Sequence, residues 1–155
     1  MTTAAPSVRV ILAAIDESER GKLVFATAAA MAGALDAQLF VLRVLTMPLD
    51  VPPAAHTPSD GVVGKMAEDA RSELHQLMTS APSKARLGPP LIVEGEPWRR
   101  ILEVAREFDV DLIVIGSHRY HGLDRVLGTV AAKVVNHADR NVLVVHERHR
   151  TQGPG

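Results

Sequence analysis

The chain predicts an open, doubly wound α/β domain: a parallel five-stranded sheet with helices on both faces. Three observations predict it. Short apolar runs alternate with amphipathic stretches of helical period from one end of the chain to the other. Hydrophobic residues make up 46% of the chain but aromatic ones only 3%, so the core must be aliphatic, as in a helix-covered parallel sheet. Near the end, a glycine-containing loop joins a buried apolar run to a helix start, the usual place for a ligand in such folds.

The elements follow in order. Arg9 to Ile15 is the first strand, closed by Asp16. From Ser18 to Ala34 a helix is expected, with Val24, Ala28, Met31 and Leu35 on one face, Ser18 as its N-cap and Gly33 near its end. Gln38 to Val44 is the second strand, with Arg43 its only charge. Two strands joined by a helix make a βαβ unit, whose crossover is right-handed. Between Thr46 and Gly64, Pro48, Pro52, Pro53 and Pro58 preclude regular structure until about Val63, which marks a long loop or lid. Lys65 to Met78 resumes a helical pattern through Met66, Ala70, Leu74 and Leu77, and Pro82 with Pro89-Pro90 ends that region. Leu91 to Val93 is a short strand and Gly95-Glu96-Pro97 a turn. The helix Trp98 to Phe108 then buries Ile101, Leu102 and Ala105, with Pro97 suited to its first position. Strands at Leu112 and Val142 bring the total to five, alternating with four helices. Residues 1–7 and 148–155 read as tails around one domain, 8–147.

Composition removes several classes of function. With 17 Lys and Arg against 18 Asp and Glu the net charge is −1, which argues against nucleic acid as the partner. The chain has no cysteine, excluding disulfides, thiol catalysis and zinc–thiolate sites. The start, MTTAAPSVRV, lacks a signal-peptide pattern, and no apolar run approaches the roughly 20 residues of a membrane span. A cytoplasmic protein without membrane partners is expected.

The segment from Leu112 to Val145 is the most telling. Its apolar run ends at Gly116, a loop rich in Gly, His and Arg follows, and a helical stretch opens near Gly128-Thr129. Glycines between a buried strand and a helix N-terminus let backbone N–H groups approach an anion, which the helix dipole also favours. That arrangement suits phosphate.

Three separated elements also carry a family likeness. They are Ala14-Ile15-Asp16-Glu17-Ser18, then Val93-Glu94-Gly95-Glu96-Pro97, then Val114-Ile115-Gly116-Ser117-His118 leading through Gly122-Leu123 to Leu127-Gly128-Thr129, Ala138 and Val142 to Val145. Together and in this order they make the chain resemble the universal stress proteins, from about Val8 to Val145. The resemblance implies a Rossmann-like sheet of strand order 3-2-1-4-5. It also implies an adenine nucleotide, ATP or AMP, at the strand C-terminal edge, with Mg2+ only as the nucleotide's companion. A homodimer through the last strand (Val142, Leu143, Val144, Val145) is the implied assembly. In the family's binding members the loop reads Gly, two residues, Gly, nine residues, Gly, then Ser or Thr. Here Gly116 and Gly128-Thr129 fill the outer positions, Arg119 stands in place of the second glycine, and Tyr120 to Leu127 is one residue short. Arg119 either obstructs the phosphates or reaches them, since guanidinium matches phosphate oxygens. Gly122 offers replacement backbone freedom three residues later.

The residue-level expectations follow from that scaffold. Asp16 caps the first helix, approaches the adenine and ribose, or does both. Ala14 and Ile15 present backbone edges to the base or belong to the core, as does Val44 at the end of the second strand. Gly128, Thr129 and Val130 open the helix that would hold phosphate, a hydroxyl and backbone N–H at Thr129 included. His118 touches phosphate or stays a polar loop residue. His118 and His121 lack the companion carboxylates of a metal site. Trp98 reads as a helix anchor before a base-stacking ring. No serine–histidine–acid set and no paired carboxylates emerge, so no catalytic residue is assigned and any ATP hydrolysis is weak. The leading expectation is a dimeric stress-response module that binds an adenine nucleotide. The alternatives are a nucleotide-free stress protein working through its dimer and surface, and a slow nucleotide hydrolase using Asp16 and His118.

Overall fold

The computed structural model describes residues 7–46, 61–82, 84–117 and 127–147. The order of elements is β1 (Val10–Ala14), α1 (Glu19–Leu35), β2 (Gln38–Leu45), α2 (Val62–Met78), β3 (Arg86–Leu87), β4 (Leu91–Glu94), α3 (Pro97–Glu107), β5 (Leu112–Gly116), α4 (Thr129–His137) and β6 (Asn141–Val145). All strand pairings are parallel. The sheet runs β3-β2-β1-β5-β6, with β4 also beside β2.

The strand count is therefore six among the described residues, not five, although the five lanes keep the expected order. β3 pairs with Gln38 and Leu39, and β4 pairs with Leu42 to Leu45 of the same neighbour. They are one outer lane cut in two. The cut falls at Gly88-Pro89-Pro90, where proline supplies no N–H for the ladder.

β1 lies at the centre, and Ile11, Leu12 and Ala13 have no exposed surface. Successive residues point to opposite faces, and both faces are covered, so the central strands are apolar throughout. Ile11 and Ala13 join Leu39, Val41 and Val114 against α1 and α2, where Ala28, Ala29 and Ala32 allow close approach. Leu12 joins Leu42, Ile113 and Ile115 against Ile101, Leu102 and Ala105 of α3 and Ala131 and Val134 of α4.

Helix ends differ from expectation in detail. α1 continues past Gly33 to Leu35 and turns at Asp36, which takes the left-handed conformation with φ 52°. Ser18 occupies the N-cap of α1, yet its N–H and hydroxyl both donate to Asp16 Oδ1 instead of its oxygen capping the helix. Pro97 is the first residue of α3, as its fixed φ suits. α2 starts at Val62, and the Pro-rich stretch around Pro48, Pro52, Pro53 and Pro58 lies outside the described residues. No helix among the described residues is long and apolar enough to cross a membrane.

Candidate functional site

The order of strands reverses at β1, because the chain passes from β1 to β2 on one side and returns to β5 on the other. In such sheets a crevice opens beyond the strand C-termini at the reversal. Here a cavity of about 220 Å³ lies at that point. Six of the candidate residues line it: Ala14, Ile15 and Asp16 at the end of β1, Val44 near the end of β2, Gly116 at the end of β5, and Val130 in the first turn of α4.

The cavity's shape depends on how close α1 sits to β1. A Cβ on Gly21 would lie 2.5 Å from the Asp16 carbonyl oxygen and 2.7 Å from Ile15 Cγ2, so only glycine permits this approach. The Asp16 peptide is also held from below. Arg43, almost fully buried in β2, donates from Nη2 to the Asp16 carbonyl at 3.3 Å and pairs through Nη1 with Glu73 of α2. Its Nε has no hydrogen-bond partner among the described residues. Asp16 therefore serves the helix start through its carboxylate while its backbone forms part of the cavity wall.

On the far side, Ser117 is buried, and its N–H and hydroxyl both donate to the Val145 carbonyl at 3.1 and 3.3 Å. These bonds fix the end of β5 against β6. Arg20, in the first turn of α1, reaches the cavity and forms an ion pair with Glu147 at 3.8 Å. Gly128 is the N-cap of α4 and buried, at φ −59° and ψ 160°, with no side-chain cap. Thr129 is exposed and begins the helix. Neither lines the cavity, although Val130 beside them does. His118, Arg119, Gly122 and the shortened loop lie outside the described residues.

Several wall residues escaped the sequence reading, chiefly Arg20, Gly21, Thr46, Pro97, Ile101 and Ser117. Some had a signal. Thr46 follows β2 as Asp16 follows β1, and Ser117 directly follows Gly116. Gly21 stands five residues beyond Asp16, a spacing that means little until the helix is docked. Trp98 is not in the wall. Its ring packs 4.7 Å from His137, and its Nε1–H donates to Glu96 Oε1 at 2.7 Å, so it anchors α3 to α4.

Chemically, the cavity joins an apolar slot to a polar rim. Ala14, Ile15, Val24, Leu42 and Ile101 supply the slot, while Asp16, Arg20, Thr46 and Ser117 supply the rim. A flat heteroaromatic ring fits the former and a sugar or anion the latter.

Comparison with known proteins agrees with this architecture. The profile of the Universal stress protein family matches residues 7–146. Universal stress protein A homolog 1 of Coxiella burnetii is 32% identical over 139 residues, covering 87% of this chain and 94% of the relative. The structure of universal stress protein UspA from Lactobacillus plantarum superposes with a TM-score of 0.71 at 27% identity, over 91% of this chain and 99% of the other. The universal stress protein from Archaeoglobus fulgidus, solved in complex with dAMP, shares the fold at a TM-score of 0.62 and 24% identity, over 88% and 96% of the two chains.

Proposed function

The chain belongs to the universal stress protein family, and from that premise we propose that it is a dimeric, cytoplasmic stress-response module that binds an adenine nucleotide, ATP or AMP. The observation that carries this reading is the cavity at the strand reversal, with the ends of β1, β2 and β5 and the start of α4 around it. Adenine occupies the apolar slot along Ala14, Ile15 and Val44. Asp16 meets the ribose. The phosphates turn toward Gly128 and Thr129, where the first N–H groups of α4 lack a side-chain cap and the helix dipole favours an anion. Mg2+ enters only as the companion of the phosphates. The relative solved with dAMP supports an adenine ligand of this kind.

The dimer forms through β6. That strand pairs with β5 on one side, and its other edge carries no strand among the described residues. Val142, Leu143, Val144 and Val145 are only half-buried there, an apolar edge that a two-fold mate would cover.

A second reading has its own support. Arg119 in place of a loop glycine, and the loop's missing residue, favour a nucleotide-free protein acting through its dimer and surface. Mass spectrometry of small molecules released from freshly purified, denatured protein separates the two, with calorimetric titration of ATP and AMP alongside. A co-purified or titrating adenine nucleotide supports the first. A folded dimer that releases and binds none supports the second.

A further inference from the structure

We propose that Arg20 is the residue by which the cavity distinguishes a phosphorylated ligand from its nucleoside, with Glu147 as its exchangeable partner. The inference rests on the adenine-nucleotide reading and adds to it a specificity-determining side chain outside the glycine loop.

Among the described residues that line the cavity, Arg20 is the only cation and Asp16 the only carboxylate. Most of the remaining wall among the described residues is apolar, so few of those groups can discriminate between neutral and anionic ligands. Arg20 sits in the first turn of α1, whose approach to the strand end is set by Gly21. Its side chain is 24% exposed, sheltered enough for a charge to matter yet open to the cavity mouth. A guanidinium at such a place offers a planar pair of donors that matches phosphate oxygens.

The ion pair with Glu147 points the same way. Arg20 Nε and Glu147 Oε2 are 3.8 Å apart, beyond hydrogen-bond distance, and the Glu147 side chain is 51% exposed. At that distance, and with its carboxylate half solvated, Glu147 is a partner that another anion can exchange. An arriving phosphate presents a higher charge and more acceptor oxygens than Glu147, so it displaces the carboxylate. Glu147 thus sets the threshold: a neutral nucleoside leaves the pair intact, and a nucleotide exchanges it.

The test is calorimetric titration of adenosine, AMP and ATP into the intact wild-type chain and into Arg20→Ala, Arg20→Lys and Glu147→Gln. Arg20→Ala is expected to weaken AMP and ATP by about tenfold while adenosine stays within about twofold. Arg20→Lys keeps the charge without the fork and should fall between. Glu147→Gln should tighten both nucleotides and leave adenosine unchanged. Adenosine is the control for a purely structural role, since distortion of the cavity would weaken all three ligands together. Equal loss for adenosine and AMP, or no loss for AMP, overturns the assignment of Arg20 while leaving nucleotide binding in place. A folded wild-type chain that binds none of the three overturns the proposed function itself, before any variant is made.

Discussion

The two ends of the sheet are built by the same alternation of strand and helix, yet they are finished differently. At the end where the strands begin, three of the connections are the short segments 36–37, 108–111 and 138–140, and side chains there bond to the backbone. The Asp111 carboxylate accepts the N–H groups of Arg9 and Val10 at 2.8 and 3.0 Å. Arg140 donates to the carbonyls of Ala105 and Val110 at 2.8 and 2.9 Å, and Asn141 donates to the Asp111 carbonyl. At the end where the strands finish, two connections run through 46–61 and 117–128, and a cavity stands between the strand tips. The lesson is a division of labour. One end is closed by short connections and side-chain ties, and at the other the strand tips, themselves hydrogen-bonded, stand around a cleft open to a ligand.

Four changes would break or sharpen that contrast. The largest effect is expected from Gly128→Val. The backbone there, φ −59° and ψ 160°, is one that any L residue adopts. In a variant whose unaltered circular dichroism shows the fold intact, AMP affinity should fall on the order of a hundredfold by calorimetry. Unchanged affinity would remove the phosphates from the start of α4. Next comes Gly21→Ala, which drives a methyl into the Asp16 carbonyl and Ile15. It should cost about 2–3 kcal/mol in urea denaturation, against the gain of up to about 1 kcal/mol that alanine usually brings to a helix. Stabilisation instead would mean that α1 does not lie so close to β1.

Asp111→Ala tests the opposite end. Two N–H groups lose their acceptor, for about 1–2 kcal/mol of stability, with nucleotide affinity within about twofold of wild type. A large loss of affinity would show that the two ends are not separable. The smallest effect concerns Asp139. Its hydrogen bond from Arg140 holds its carboxyl below the ordinary value of 3.8. A lowered folded-state pKa contributes stability that is present above 3.8 and lost as pH falls from there through the lowered value. Asp139→Asn should therefore lower stability slightly at pH 7 and flatten the acid limb, so that the two stability–pH curves converge at low pH. A loss of equal size at every pH would contradict it.

How much of this was legible in the sequence differs between the two ends as well. The tips of β1, β2 and β5 announced themselves, because apolar runs that end at Asp16, Val44 and Gly116 mark both a strand end and the cleft it faces. Gly21 and Arg20 gave no such sign. Their importance is a distance between a helix and a strand tip, and that distance exists only after packing. Arg43 read as one charge in a strand, whereas its role depends on Glu73 in another element and on a backbone carbonyl at Asp16. Asp36 shows the limit of residue statistics: glycine at position 33 suggested the helix end, but the chain turned at an aspartate that tolerates the left-handed region. The divided outer lane was half visible, since Pro89-Pro90 signalled a break without showing that both fragments would return to β2.

That divided lane has a consequence for how copies of the chain can join. Each side of an open sheet is a template on which another strand can grow. On the β3/β4 side the template is two short pieces, separated by Gly88 and two prolines that lack N–H donors, so a strand laid along it finds no continuous row of partners. On the β6 side the row is unbroken for five residues. A particle with one growing side can be extended only once: pairing two such sides consumes them both, and nothing remains on which a third copy could build. If two copies pair along β6, as proposed, the interrupted lane offers no continuous row on which a third could add.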